Sequence, residues 1–310
     1  MTTLPQLHHE RPFVTDGGLE TTLVFHDGID LPDFAAFPLL DTEDGREALD
    51  RYYTAYLDIA RRHGTGIVLD TPTWRANLDW GARLGYDPEA LVALNRRAVG
   101  YVDDLAAGWP DVTTVRNGVI GPRGDGYAVG ATMSSGEAAS YHALQARAFA
   151  DAGAEMVTAV TMTYSQEAVG IVRAATSAGI PAVASFTVET DGRLPSGETL
   201  ADAVAAVDRE TDGAAAYFMV NCAHPTHFAG ALQGGSWLDR IQGIRANASR
   251  LSHAELDEAE ELDIGDIDEL AGDYAELQRR LPRLAVFGGC CGTDHRHVDA
   301  VAATILTPAT

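Results

Sequence analysis

From Gly45 to His63, apolar residues at Leu49, Tyr52, Tyr53, Tyr56, Ile59 and Ala60 recur at helical spacing, and Gly64 closes the run. The period then shortens: Gly66-Ile67-Val68-Leu69-Asp70 is a compact apolar strand pattern. The same alternation runs down the chain. It predicts helices over Pro88 to about Ala107, Gly136 to Ala152, Gln166 to Ala178, Leu200 to Arg209, Ile267 to Arg280 and His295 to Ile305, with a short one beginning near Pro225. Between them it predicts strands within Val112–Pro122 and over Glu155–Thr161, Pro181–Val188, Ala214–Cys222, Ile241–Ala246 and Leu284–Cys290. A first strand lies at Pro12-Phe13-Val14-Thr15, and the segment Ile29 to Leu40, with Pro32 and Pro38, reads as a long loop. Strands alternating with helices imply a parallel sheet, and eight such pairs are what a closed α/β barrel of the (β/α)8 TIM type needs. Nothing resembling a linker interrupts the series, so the expectation is one barrel domain over residues 1–310, with an open doubly wound sheet as the rival architecture.

Two strand ends carry unusual chemistry. Leu284-Ala285-Val286-Phe287 runs into Gly288-Gly289-Cys290-Cys291-Gly292, which holds two of only three cysteines, and the third, Cys222, ends Tyr217-Phe218-Met219-Val220-Asn221. Neighbours on a regular strand point to opposite faces, so Cys290 and Cys291 can face one ligand only where the strand has stopped. The flanking glycines permit that change of direction and a close approach. Thiolates are soft donors suited to zinc, and three protein ligands leave a tetrahedral ion one open position, as in catalytic rather than structural sites. The plain alternative is that these are small buried hydrophobes, since no CxxC spacing is present. In a barrel, strands six and eight converge on the C-terminal rim, which brings Cys222 to the pair. Asp16, between a strand and Gly17-Gly18, is placed either to meet a ligand or to cap the next turn.

Composition narrows the field. Forty-five acidic residues against 22 basic ones give a formal charge of −23, which repels phosphate backbones and argues against nucleic acid as a partner. The acid is densest from Glu255 to Asp273, read as a solvated helix face or loop. Lysine is absent, which excludes Schiff-base chemistry, lysine-held pyridoxal phosphate and the phosphate-loop lysine. No leader or membrane-length apolar run is evident, and an odd count of three cysteines does not suit a secreted disulfide scaffold. The chain therefore reads as soluble and cytoplasmic, with no membrane partner.

Val220-Asn221-Cys222, the Gly288–Gly292 block and Asp16-Gly17-Gly18, with weaker matches at Gly118-Val119-Ile120-Gly121-Pro122 and Ser185-Phe186-Thr187, resemble the zinc-dependent homocysteine S-methyltransferases. That resemblance implies a (β/α)8 barrel, Zn2+ held by Cys222, Cys290 and Cys291, and transfer of a methyl group from a sulfonium or similar donor to the thiolate of homocysteine, giving methionine. The implied partners are homocysteine and S-methylmethionine or S-adenosylmethionine, with a possible homo-oligomer. The implied substrate contacts are Asp16, Gly17 and Asn221. Family members commonly carry a glutamate near the end of the fourth strand that helps hold the homocysteine amino group; here Val160 stands in its place, and Glu20 or Glu189 are the candidate replacements. Thr71-Pro72-Thr73-Trp74-Arg75 occupies the second-strand exit where the family often has a tyrosine-glutamine pair, and 247–251 only loosely echoes a Pro-Asn-Ser-Gly loop. The departures leave methylation of another thiol or selenol, or a non-catalytic zinc- or redox-responsive barrel, as alternative readings. His224, His227, His295 and His297 are expected at helix starts or behind the metal ligands, since three thiolates and a substrate fill four positions. Trp74, Tyr164 and Phe186 are candidates for pocket walls or for core.

Overall fold

The computed structural model describes residues 4–259 and 261–306. Its eight strands are β1 (Phe13–Val14), β2 (Ile67–Asp70), β3 (Thr114–Ile120), β4 (Met156–Met162), β5 (Ala182–Phe186), β6 (Ala215–Asn221), β7 (Ile241–Ala246) and β8 (Val286–Gly289). Each pairs in parallel with its sequence neighbours, and β1 also pairs with β8 through Phe13↔Val286 and Val14↔Phe287, which closes the barrel. The open-sheet rival is thereby excluded. The helices lie outside. In the longest of them, Glu43–His63, Thr42 accepts from the Gly45 N–H at the start, and Gly64 ends the helix at φ +62°, a conformation that costs glycine nothing. No described helix is long and apolar enough to cross a membrane.

Burial separates two apolar layers. The larger lies between sheet and helices and contains, among others, Tyr53, Phe149, Val172, Phe186 and Tyr274, each essentially inaccessible. The smaller fills the lower barrel with Phe13, Val68, Val115, Met156, Val183 and Met219. Strand side chains alternate, so two residues further along each strand the chain again points inward. Those next positions are Asp70, Asn117, Thr158, Ser185 and Asn221, all buried. Directly above an apolar plug, the barrel thus carries a polar layer, at the end where the strands terminate.

The Ile29–Leu40 segment is irregular as expected, with single 3-10 turns at Pro32–Phe34 and Phe37–Asp41. Three short α-helices went unforeseen, Leu19–Thr21, Leu78–Arg83 and His253–Asp257. The last overlaps the start of the acidic stretch, and Leu256, Glu261 and Asp263 of that stretch line a cavity at the barrel mouth.

Candidate active site

The polar layer is built around Arg245 on β7. Its guanidinium bridges the carboxylates of Asp16, just past β1, and Asp70, at the end of β2. Its Nε donates to the Gly289 carbonyl at 3.1 Å and a terminal nitrogen to the Gly17 carbonyl at 3.3 Å. Tyr52 O–H donates to Asp16 Oδ2 at 3.0 Å; Asn117 Nδ2 donates to Asp70 Oδ1 at 2.7 Å, and Thr158 O–H to Asn117 Oδ1 at 3.0 Å. Two largely buried carboxylates therefore share one part-buried cation. Burial raises the Asp16 carboxyl, against the pull of Arg245 and with the help of Asp70, up to about 7. For Arg245 burial opposes the charge, but Asp16 and Asp70 outweigh it and hold the guanidinium above its ordinary value.

Beside this network the three sulfurs meet. β8 ends at Gly289, so Cys290 and Cys291 lie beyond the regular strand. Cys290 N–H donates to the Ala246 carbonyl at 2.8 Å, and the Cys291 carbonyl accepts from Ala248 N–H at 3.1 Å, which pins the turn to the end of β7. Gly292, at φ +76°, completes the turn. Cys222 has left β6 with φ +52°, in the left-handed region that costs a non-glycine residue about 1–2 kcal/mol. Its Sγ is joined to that of Cys290 in a disulfide with Cα atoms 5.3 Å apart, and all three sulfurs fall within 4.8 Å of one another. Thiolates about 2.3 Å from a tetrahedral zinc ion sit about 3.8 Å from each other, so the reduced trio fits one such ion.

The sequence-derived candidates divide here. Asp16, Gly17, Glu20, Cys222, Cys290 and Cys291 line one small cavity of about 70 Å³, together with Val160 and Trp74. Glu20 is half-buried there, and burial raises its carboxyl. Asn221 is not among the lining residues. Its Oδ1 accepts from Thr161 N–H at 3.0 Å and from Ser185 O–H, and its Nδ2 donates to Thr161 Oγ1 at 2.8 Å, so it braces Thr161 at φ +63°. Glu189 does not line the cavity either; it lies 3.4 Å from His253 Nδ1. His224 caps the Pro225–Phe228 helix, and His297 closes a capping box with Asp294. Tyr164 O–H accepts from Met133 N–H at 3.0 Å, and Phe186 is core.

Sequence reasoning missed three participants. Arg245 and Asp70 are charged residues inside strand runs, a pattern that does not say which way either side chain points. Tyr127, in the loop after β3, gave no local signal. Its hydroxyl lies 3.5 Å from Cys222 Sγ and 3.3 Å from Cys291 Sγ, and its ring packs 4.4 Å from that of His253, whose Nε2 is 2.6 Å from the Cys222 carbonyl. Burial raises the Tyr127 phenol, and the Cys291 sulfur raises it further, so it stays a neutral donor.

A profile described as homocysteine S-methyltransferase matches residues 13–305. The chain belongs to the homocysteine S-methyltransferase family. It is accordingly a methyltransferase enzyme, on a barrel similar to that of the homocysteine methyltransferase MmuM from Escherichia coli. The metallated form of that protein superimposes with a TM-score of 0.74 at 21% identity, covering 96% of this chain and 98% of the other. Its oxidized form gives 0.76 at 21% identity, covering 98% and 99%, and its apo form 0.68 at 19%, covering 96% and 97%. At such identity the likeness establishes the fold alone. No curated protein sequence matches the chain. As a member of the homocysteine S-methyltransferase family it takes a thiol substrate and a methyl donor, and its Cys222, Cys290 and Cys291 form a group able to bind a metal.

Proposed function

We propose that the protein transfers a methyl group from a sulfonium donor to the thiolate of homocysteine, giving methionine, with zinc held by Cys222, Cys290 and Cys291. The observation that carries this is the gathering of three sulfurs from two distant strands within 4.8 Å, beside the buried Asp16 carboxylate. Bound by three thiolates, zinc supplies the acidity that makes a fourth, incoming thiol a thiolate at neutral pH.

The chain's own residues do the rest. Asp16, fixed by Tyr52 and Arg245, takes the cationic amino group of the acceptor, with Glu20 adding the second carboxylate that Val160 cannot offer. Asp70 and Arg245 hold Asp16 in place, and the Arg245 bond to the Gly289 carbonyl ties that anchor to the cysteine turn. Trp74, Phe34 and Tyr127 wall the cavity and exclude water. Held in line with the donor, the acceptor sulfur forms a new S–CH3 bond as the donor C–S bond breaks, and the bonding pair stays on the donor sulfur as a neutral thioether.

Val160 in the cavity wall favours one second reading, methylation of a thiol without an amino group. The two separate in one experiment. Zinc-loaded, reduced protein is incubated with S-methylmethionine or S-adenosylmethionine and either homocysteine or a panel of simple thiols. Homocysteine-dependent methionine from S-adenosylmethionine, or two methionines for each S-methylmethionine consumed, supports the first reading; methylation of other thiols alone refutes it.

A further inference from the structure

Above the cysteine turn lies a second, larger cavity of about 400 Å³, which shares Tyr127, Trp74 and Cys291 with the small one. One of its walls carries an anomaly. Arg75 is only 9% exposed, and among the described residues no carboxylate comes within ion-pairing distance of it. Its Nε–H is buried with no hydrogen-bond acceptor, and so is the Nε1–H of the adjacent Trp74. The guanidinium instead packs on two indoles, 3.6 Å from the Trp80 ring centroid and 4.4 Å from that of Trp74. Stacking fixes the plane of the fork but leaves its in-plane donors unused, and a buried cation ordinarily has an anionic partner. Burial lowers the pKa of Arg75, while Asp125, Glu20 and Asp33 oppose that shift from beyond contact range. A rigid, desolvated fork in the wall of a cavity suits a planar oxyanion that binds through two oxygens.

The remaining walls have the opposite preference. Asp125, Glu261 and Asp263 line the same cavity, and Phe34 and Tyr127 present aromatic surface to it. Carboxylates and ring faces favour an onium centre. A small molecule with a cationic end and a carboxylate end matches both. The acceptor's amino-group anchor, Asp16, lines the small cavity, and Arg75 does not. We propose that Arg75 binds the carboxylate of the methyl donor, and that this restricts the enzyme to donors carrying an onium centre and a carboxylate in one molecule. This deepens the function proposed above and rests on it.

The test compares S-methylmethionine with its decarboxylated analogue, (3-aminopropyl)dimethylsulfonium. Binding to the zinc-loaded protein without acceptor is read by tryptophan fluorescence, since Trp74 and Trp80 flank the fork, and turnover is read separately with homocysteine. Wild type should favour S-methylmethionine by about 10–100-fold, the worth of a charge-assisted bidentate contact. Arg75→Gln should bring the two donors to within about threefold by weakening S-methylmethionine alone, with the homocysteine KM unchanged; Arg75→Lys, which keeps the charge and loses the fork, should fall between and serves if the glutamine variant does not fold. Discrimination at the wild-type level in either variant, or a raised homocysteine KM in place of the donor's, overturns the assignment. Discrimination in binding without methyl transfer would refute the proposed reaction while upholding the role of Arg75.

Discussion

Asp16 and Arg245 show what a single buried position can and cannot reveal in advance. Asp16 stood out because a carboxylate between a strand and two glycines has few structural uses. Its partner is 229 residues away, and nothing local to Ile241–Ala246 announces that Arg245 points inward rather than out. The elevated Asp16 carboxyl gives a definite pH signature. A group with folded pKa near 7 and an unfolded value near 3.8 keeps its proton in the native state while the unfolded chain has lost it. Its contribution to stability is complete below about pH 4 and is lost as pH rises to about 7. Measured by urea unfolding in metal-free protein, the stability of wild type relative to Asp16→Asn should therefore decline across that window and level off above it. A rise instead would mean that Arg245 holds the carboxyl down. The cysteines make a sharper case: Cys291→Ala leaves two sulfurs where a tetrahedral thiolate site needs three, so elemental analysis should find zinc reduced to about a tenth of a mole per mole of chain or less, with methyl transfer lost in step.

At the scale of the element, β8 and its exit turn were legible because the apolar run and the glycines on either side of the cysteine pair are contiguous. The glycines prove to serve more than the metal turn. A Cβ on Gly288 would collide with Thr15 Oγ1 and meet the Asp16 carbonyl at 2.7 Å, so β1 and β8 can approach only because this position is bare. Gly288→Ala should cost about 1–3 kcal/mol of unfolding free energy, as overpacked interiors do, and should weaken homocysteine binding through Asp16; a variant of unchanged stability would show that the seam is slack. The helices were read by period and capping, whereas Leu78–Arg83 and His253–Asp257 escaped because one or two turns hold too few apolar positions to show a period. Tyr127 escaped for the same reason, being held by an Asx turn in which Asp125 Oδ1 accepts from its N–H at 2.8 Å.

For the molecule as a whole, the alternation of eight strands and their helices was enough to predict closure, because a parallel series of that length with right-handed connections has few other ways to bury both faces. What lay outside its reach was the state of the sulfurs. With Cys222 and Cys290 joined, only one thiol is available to a metal, so zinc uptake should require a reductant. Thiol titration of unfolded samples should give three groups per chain after reduction and one after oxidation that joins Cys222 to Cys290, and only the reduced sample should take up stoichiometric zinc.

The seam between β1 and β8 has a further consequence for biosynthesis. Asp16, the anchor proposed for the acceptor, follows β1 and precedes the other seven strands, and two of the three sulfurs come only after β8. A chain that stops before β8 holds seven of the strands and Cys222 as its lone cysteine. Such a chain can neither close the barrel through β1 and β8 nor assemble the three-sulfur group.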